Sequence, residues 1–306
     1  MPKIHGMVIF GQSGPGENAS GESLTKEPKH KKGINEEKNG WCYFVGILLS
    51  VFYLLPIYVL INMSFRTVTD FQDKLGLPAQ WYVQNYIDVF TRGDLFIGLR
   101  NSLVLAVETV VLEIILSSLA AYGLARSKSK FVGALSTMNM LVMMIPGTAL
   151  LVGTYGLMMK LHLTNSLIGL ALLSAAGGIP ATMFMYMNFI VSIPSALDEA
   201  AAIDGAGVIK TFFVIILPQL KAVTVTRIIM SFTGSWNNYL MPMYLLNNKS
   251  KFTVVLVIKE AFNKTNGVGN TPRACATAAL GILPVIIIYL LLQKYIVEGQ
   301  IDSAVK

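Results

Sequence analysis

The sequence predicts an all-α integral membrane protein with six transmembrane helices, and three observations predict it. Of 306 residues, 54% are hydrophobic and only 13% charged, with a mean hydropathy of +0.59, more apolar than a water-soluble domain of this size. The 24 basic and 17 acidic residues are unevenly placed, eleven of them in the first forty positions, so the remainder is more lipid-like than the average. That remainder holds six apolar stretches of about the 20 residues a helix needs to cross a bilayer: 41 to 63, 101 to 124, 132 to 156, 166 to 187, 223 to 246 and 274 to 296.

Residues 1–40 are rich in Gly, Ser, Lys, Glu and Asn and have almost nothing apolar to bury, so a disordered tail is expected there. Residues 41–306 read as one six-helix transmembrane domain. The first apolar block is not followed by a small-residue cleavage site, so it is expected to remain as a spanning helix rather than act as a secretory signal. Residues 64–100 contain Asp70, Asp73, Asp88 and Asp94 with Trp81, Tyr82 and Tyr86, which suits an external segment lying on the surface. The second span opens on Asn101-Ser102 and carries Glu108 and Glu113. Five residues apart, they lie about 140° from each other around a helix and cannot share a face.

The third and fourth spans are divided only by MKLHLTNS, around Lys160 and His162. Pro56, Pro146, Pro180, Pro242 and Pro284 lie in or near the spans and are expected to be accommodated without breaks, since neighbouring helices can satisfy freed backbone groups. The fifth span carries a polar and aromatic patch from Ser231 through Ser235, Trp236, Asn237 and Asn238 to Tyr239.

Six spans place both termini on one side. That side collects 14 Lys and Arg, counting Arg227 with the loop at 188–222, against 10 on the other, which favours cytoplasmic termini. The loop ARSKSK at 125–130 is basic without an acid.

Several function classes are excluded. The two cysteines, Cys42 and Cys275, lie far apart, and His5, His30 and His162 are dispersed, so neither a disulfide framework nor a metal site is expected. No G-x-S-x-G, H-E-x-x-H or C-x-x-C occurs, and the nearest thing to a phosphate loop, GENASGES at 16–23, has Glu22 where a lysine is needed. No catalytic residue is expected. The net charge of +7 is scattered between apolar blocks rather than gathered into a stripe, which speaks for membrane topology over nucleic acid.

Between the fourth and fifth spans, SIPSALDEAAAIDGAGVIKTFFVIILPQL at 192–220 is too regular for a plain connector. Ser195 and Asp198 are spaced like a capping box, so a short helix should begin near 196. Gly205 and Gly207 should end it, and a second helix should run to Pro218. Ala200, Ala201 and Ala202 offer little side-chain bulk, so another protein could approach the backbone there, with Glu199 and Asp204 at the edges. Composition alone leaves a surface-lying amphipathic connector equally open.

The spacing adds a resemblance. EAAAIDGAGVIKTFFVIILP at 199–218 resembles the signature of permease subunits of bacterial ATP-binding-cassette importers: Glu-Ala-Ala, three residues, Gly, nine residues, Ile-x-Leu-Pro. Glu199, Ala200, Ala201, Gly205, Ile215, Leu217 and Pro218 meet every fixed position. From about residue 41 the chain is similar to carbohydrate-importer permeases of the maltose and oligosaccharide type, with further matches at Asn101-Ser102, AAYGLAR (120–126), SWNNYLMP (235–242) and GQIDSAVK (299–306), where Ser303 departs from the family pattern.

The resemblance implies a type I importer permease fold in the bacterial plasma membrane. Residues 196–204 would be a cytoplasmic coupling helix, with Glu199, Ala200, Ala201, Asp204, Gly205 and Pro218 facing an ATPase. It implies as partners a second homologous permease, two ATP-binding-cassette ATPase subunits, an extracytoplasmic solute-binding protein, membrane lipid and a sugar, but no nucleic acid. It implies no cofactor on this chain, ATP being bound by the partner subunits. The segments 64–100 and 247–273 would be where the binding protein docks.

Trp236, Asn237 and Asn238 are candidates for the substrate pathway, since sugars are held by hydrogen-bonding side chains and aromatic faces; helix glue and interface anchoring explain them equally well. An acid at the bilayer centre costs about 3 kcal/mol. For Glu108 and Glu113 an interhelix contact is preferred over a proton relay, because no His, Lys or second acid stands at a completing helical spacing. The competing functions are an importer permease for a non-sugar solute and an ion-driven secondary transporter, although no inverted repeat is visible.

Overall fold

The computed structural model describes residues 39–70, 72–263 and 270–304, with side chains described between 40 and 293 in those ranges. The tail expected over 1–40 lies outside the described residues except for 39 and 40, which open the first helix. Among the described residues every regular element is helical. The helices are α1 (Asn39–Ser64), α2 (Gln84–Arg92), α3 (Asp94–Arg126), α4 (Lys130–Met143), α5 (Leu151–Lys160), α6 (Leu167–Ser192) and α7 (Ala196–Ile203). There follow α8 (Val208–Thr211), α9 (Leu217–Gln219), α10 (Lys221–Trp236), α11 (Leu240–Leu245), α12 (Val254–Phe262) and α13 (Thr271–Ala304). Internal contacts divide the chain after Val51; every contact described below belongs to the unit that begins at Phe52.

Among the described residues four helices are long and apolar enough to cross a membrane, Gly40–Ser64, Asp94–Arg126, Leu167–Ser192 and Thr271–Gln293, or up to six if each of two bent pairs is one span. The first bent pair corrects the expected third span. In place of one helix over 132–156, α4 and the segment Gly147–Lys160 meet at 90°. The break falls at Pro146, whose backbone is extended (φ −65°, ψ 127°): proline lacks an N–H to donate and its ring drives the preceding residue out of helical geometry. Pro56, Pro180 and Pro284 do lie inside helices.

The second bent pair joins the segment Val208–Gln219 to α10 at 80°, just after Pro218. The expected fifth span, 223–246, is also interrupted. Helix α10 stops at Trp236 and the chain resumes as α11 at Leu240, leaving Asn237, Asn238 and Tyr239 between helices.

Packing centres on α3, which lies along α6 and is crossed by α10 and α12. Asn101 Nδ2 donates to the carbonyls of Ser250 (2.9 Å) and Phe252 (3.0 Å), and Ser102 Oγ accepts from Val254 N at 2.8 Å, so this pair fixes the start of α12. The segment after α1 folds around Arg66, only 1% exposed. Its guanidinium donates to the carbonyls of Gln72, Asp73 and Gly76 at 2.9, 2.7 and 2.5 Å, while Trp81 stays exposed.

Candidate functional site

Two features of this framework invite a functional reading: a cavity among the long helices, and the segment 192–220 at one end of them.

The cavity encloses about 700 Å³ and is walled by α3, the α4–α5 bend, α6 and α10. Its polar side includes Thr109, Glu113, Arg227, Ser231, Ser235 and Asn238. Its apolar side includes Val142, Ile145, Leu150, Leu173, Met230 and Met241.

Glu113, 2% exposed, organises the polar side. Arg227 Nη2 donates to Oε1 at 2.5 Å, Thr182 donates to the same oxygen, and Ser231 Oγ donates to Oε2 at 2.6 Å. Arg227 and Ser231 stand four apart on α10 and so share a helix face. A carboxylate this deep in an apolar body is tolerable only when paired and hydrogen-bonded, and here α6 and α10 both supply donors. Gly178 makes room for it: a Cβ at that position would come within 2.5 Å of Glu113 Cδ.

Glu113 is therefore an interhelix contact, as preferred from the sequence. Its partner Arg227, which the charge pattern groups with the loop at 188–222, is instead buried (7% exposed) within α10. The isolated arginine in KAVTVTRIIMSF was the available signal. Glu108 takes no part in this cluster, and its Oε2 is buried without a hydrogen-bond partner.

Of the three expected pathway residues only Asn238 lines the cavity. Asn237 caps α10 and is exposed. Trp236 is a correction. It is 3% exposed, donates from Nε1 to Gly281 O at 3.2 Å and stacks on Phe232 with centroids 5.4 Å apart. It packs between α10 and α13 because its indole finds there both an apolar bed and an acceptor, the two things a buried tryptophan needs.

The segment 192–220 forms a short helix, a glycine turn and a second helical stretch, as its pattern predicts. Helix α7 begins at Ala196, but not through a capping box. Ser195 is itself helical (φ −63°, ψ −20°) and makes no side-chain cap bond; its carbonyl accepts from Asp198 N and Glu199 N. Asp198 is engaged elsewhere. Tyr122 OH donates to its Oδ1 at 2.5 Å, and Arg126 Nη2 lies 2.9 Å from Oδ2, an ion pair that makes no hydrogen bond in this geometry. Helix α7 is thereby tied to the last turn of α3. Both Tyr122 and Arg126 belong to the AAYGLAR stretch, but nothing in its spacing points to Asp198.

The far end of α7 closes in a Schellman turn. Gly205 N donates to Ala202 O (3.1 Å) and Ala206 N to Ala201 O (2.9 Å), with Gly205 at φ +76°, the left-handed conformation that favours glycine. The chain then runs through α8, a π-helical turn Phe212–Ile216 and α9. Phe212 and Ile216 are buried against Tyr122, Tyr186 and Ile190, which seats the segment on α3 and α6.

The outward face of this unit presents Glu199, Ala200, Ala202, Asp204 and Ile203, the last 87% exposed. Ala201 corrects the expectation that all three alanines face outward: it is 3% exposed, because on a helix anchored through Asp198, the residue three positions on turns to the same inward side. Pro218 is exposed on α9.

Residues 113–300 match the family described as binding-protein-dependent transport system inner membrane component. The chain is 31% identical over 263 residues to the melibiose/raffinose/stachyose import permease protein MelC of Bacillus subtilis (strain 168), covering 86% of this chain and 95% of that protein. It is 32% identical over 265 residues to the probable starch degradation products transport system permease protein AmyC of Thermoanaerobacterium thermosulfurigenes, with the same coverage. A chain of a crystal structure of a bacterial ABC transporter involved in the import of the acidic polysaccharide alginate superposes with a TM-score of 0.74 at 21% identity, over 86% of this chain and 99% of that one.

Proposed function

The chain belongs to the binding-protein-dependent transport system inner membrane components, a multi-pass membrane protein, and from that premise we propose that it forms half of the translocation path of an ATP-driven sugar or oligosaccharide importer. The other half is a second, homologous permease. Two ATPase subunits bind and hydrolyse ATP beneath them, so this chain needs no cofactor, and an extracytoplasmic binding protein delivers the solute. The chain makes six spans in the bacterial plasma membrane, each bent pair counting as one, with both termini cytoplasmic.

One observation carries the reading. The 199–218 pattern folds as a short, capped, outward-facing helix that is tied to a long helix lining a cavity. Helix α7 is the coupling helix, presenting Glu199, Ala200, Asp204 and Gly205 to the ATPase; Pro218, exposed on α9, belongs to the same coupling segment, and Ala201 shapes the unit from within its fold. When the ATPases close and carry α7 with them, Asp198 pulls on Tyr122 and Arg126, and Phe212 and Ile216 press on α6. From Tyr122 to Thr109 is thirteen residues of continuous α3, about 20 Å at 1.5 Å per residue, so displacement of the lever moves the cavity wall. The segments 64–100 and 247–273 form the docking face for the binding protein; residues 264–269 of the latter lie outside the described residues.

The test is purification of the tagged chain in mild detergent with its associated subunits, followed by ATP-driven uptake in proteoliposomes. ATPase activity should rise when the sugar-loaded binding protein is added. Glu199→Lys, and Gly205→Pro at φ +76°, should abolish uptake with membrane insertion unchanged. Normal uptake in either variant, or transport by the chain alone under an imposed ion gradient, counts against the proposal.

A further inference from the structure

We infer that the cavity between α3, the α4–α5 bend, α6 and α10 is a solute subsite contributed by this subunit, and that it takes neutral rather than acidic saccharides. The inference rests on the transport reading above and narrows it to a class of solute.

Hydrogen-bonding capacity around this cavity is unused. Thr109 Oγ1, Ser235 Oγ and Arg227 Nε are buried without partners, in residues 2%, 7% and 7% exposed. Thr154, Ser174 and Asn238 also line the cavity, half-buried, and their side chains make no hydrogen bond. Folded proteins leave few buried polar groups unpaired; three such atoms and three half-buried unpaired side chains around one cavity, on α3, α5, α6, α10 and the break after it, call for a ligand that both donates and accepts in several directions. Sugar hydroxyls do so, and the apolar wall opposite, with Val142, Leu173 and Met230, suits the C–H faces of the ring.

The charge balance sets the class. Both oxygens of Glu113 are occupied, and Arg227 is neutralised by Glu113 at 2.5 Å. The polar side is thus rich in dipoles, with no free cation among the described lining residues to meet a carboxylate. A uronate would have to displace Glu113 from Arg227 or enter unneutralised, and an unpaired charge in such surroundings is strongly disfavoured. A neutral sugar disturbs neither partner.

The test uses the complete transporter in proteoliposomes with Cys42→Ser as background, since the remaining cysteine, Cys275, is buried. Ser174→Cys and Asn238→Cys each remove a side chain that makes no internal hydrogen bond, and Leu161→Cys serves as a control in the exposed turn after α5. ATP-driven uptake of raffinose, maltotriose and trigalacturonate is measured first, then the rate of modification by a small methanethiosulfonate in the presence of each. The expected result is uptake of raffinose or maltotriose, with that sugar slowing modification at 174 and 238 at least fivefold while leaving 161 unchanged, and trigalacturonate slowing neither. Uptake without any slowing overturns the subsite but leaves the transport reading standing. Equal slowing at 161, or slowing by trigalacturonate, also overturns it. Absence of ATP-driven uptake of all three removes the sugar-transport reading and this inference with it.

Discussion

Replacing Arg227 with methionine removes the cation that neutralises Glu113 and leaves the rest of α10 in place. The carboxylate, 2% exposed, would keep its bonds from Ser231 and Thr182 but lose its countercharge. Breaking a buried ion pair from one side costs about 3–5 kcal/mol, and an acid at the bilayer centre about 3 kcal/mol on insertion scales; the two routes agree on a loss of at least about 3 kcal/mol. Adding Glu113→Gln removes the orphaned charge, so the double variant should recover part of the loss, with a coupling of about 2–3 kcal/mol. Arg227→Lys keeps the charge and should fall between wild type and Arg227→Met. The assay is SDS titration of the purified protein in mixed micelles, read by the fluorescence of Trp236, which is buried 3.2 Å from Gly281 O; the Trp41→Phe and Trp81→Phe background isolates that signal. Losses under about 1 kcal/mol, or strict additivity in the cycle, would refute the assignment of the pair as the anchor of α3 to α10.

Three further outcomes follow from the same geometry. Tyr122→Phe removes a hydrogen bond to a carboxylate, worth about 1.5–3 kcal/mol, and should free α7 from α3. Amide exchange over 196–206 should accelerate, and ATP hydrolysis should continue with less uptake per ATP; unchanged exchange would sink the latch. Gly178→Ala places a methyl against Glu113 and should cost about 1–3 kcal/mol by overpacking, seen as a lower thermal midpoint of the detergent-solubilised protein, whereas wild-type stability would mean that α6 shifts freely. Trp236→Phe loses the bond to Gly281 and about 1 kcal/mol of stability while leaving the KM for sugar unchanged; a raised KM would return Trp236 to the substrate path.

Much of the molecule follows from composition and period. Apolar runs long enough to span a bilayer mark α1, α3, α6 and α13 to within several residues, because lipid demands continuous helices whose backbone groups are satisfied internally. The short α7 was legible too, since glycine at 205 is a local signal for a local turn. Local reading failed where a residue's fate depends on distant neighbours. Pro146 and Pro180 look alike in sequence, yet one breaks its helix at 90° and the other lies within α6. Ser195 and Asp198 have capping spacing, yet Asp198 serves Tyr122, 76 positions away.

The sequence by itself determined that this chain is a helical membrane protein with a short helix and a glycine turn in 196–207, because hydropathy and local spacing act over one span or one turn. Only the tertiary structure decided what that short helix is fastened to, that Glu113 meets Arg227 across 114 positions, and that Trp236 packs on α13 instead of lining the cavity. Burial, pairing and cavity shape are properties of helices brought together. A charge or an indole in a single helix has many possible neighbours, and packing selects the ones that satisfy it.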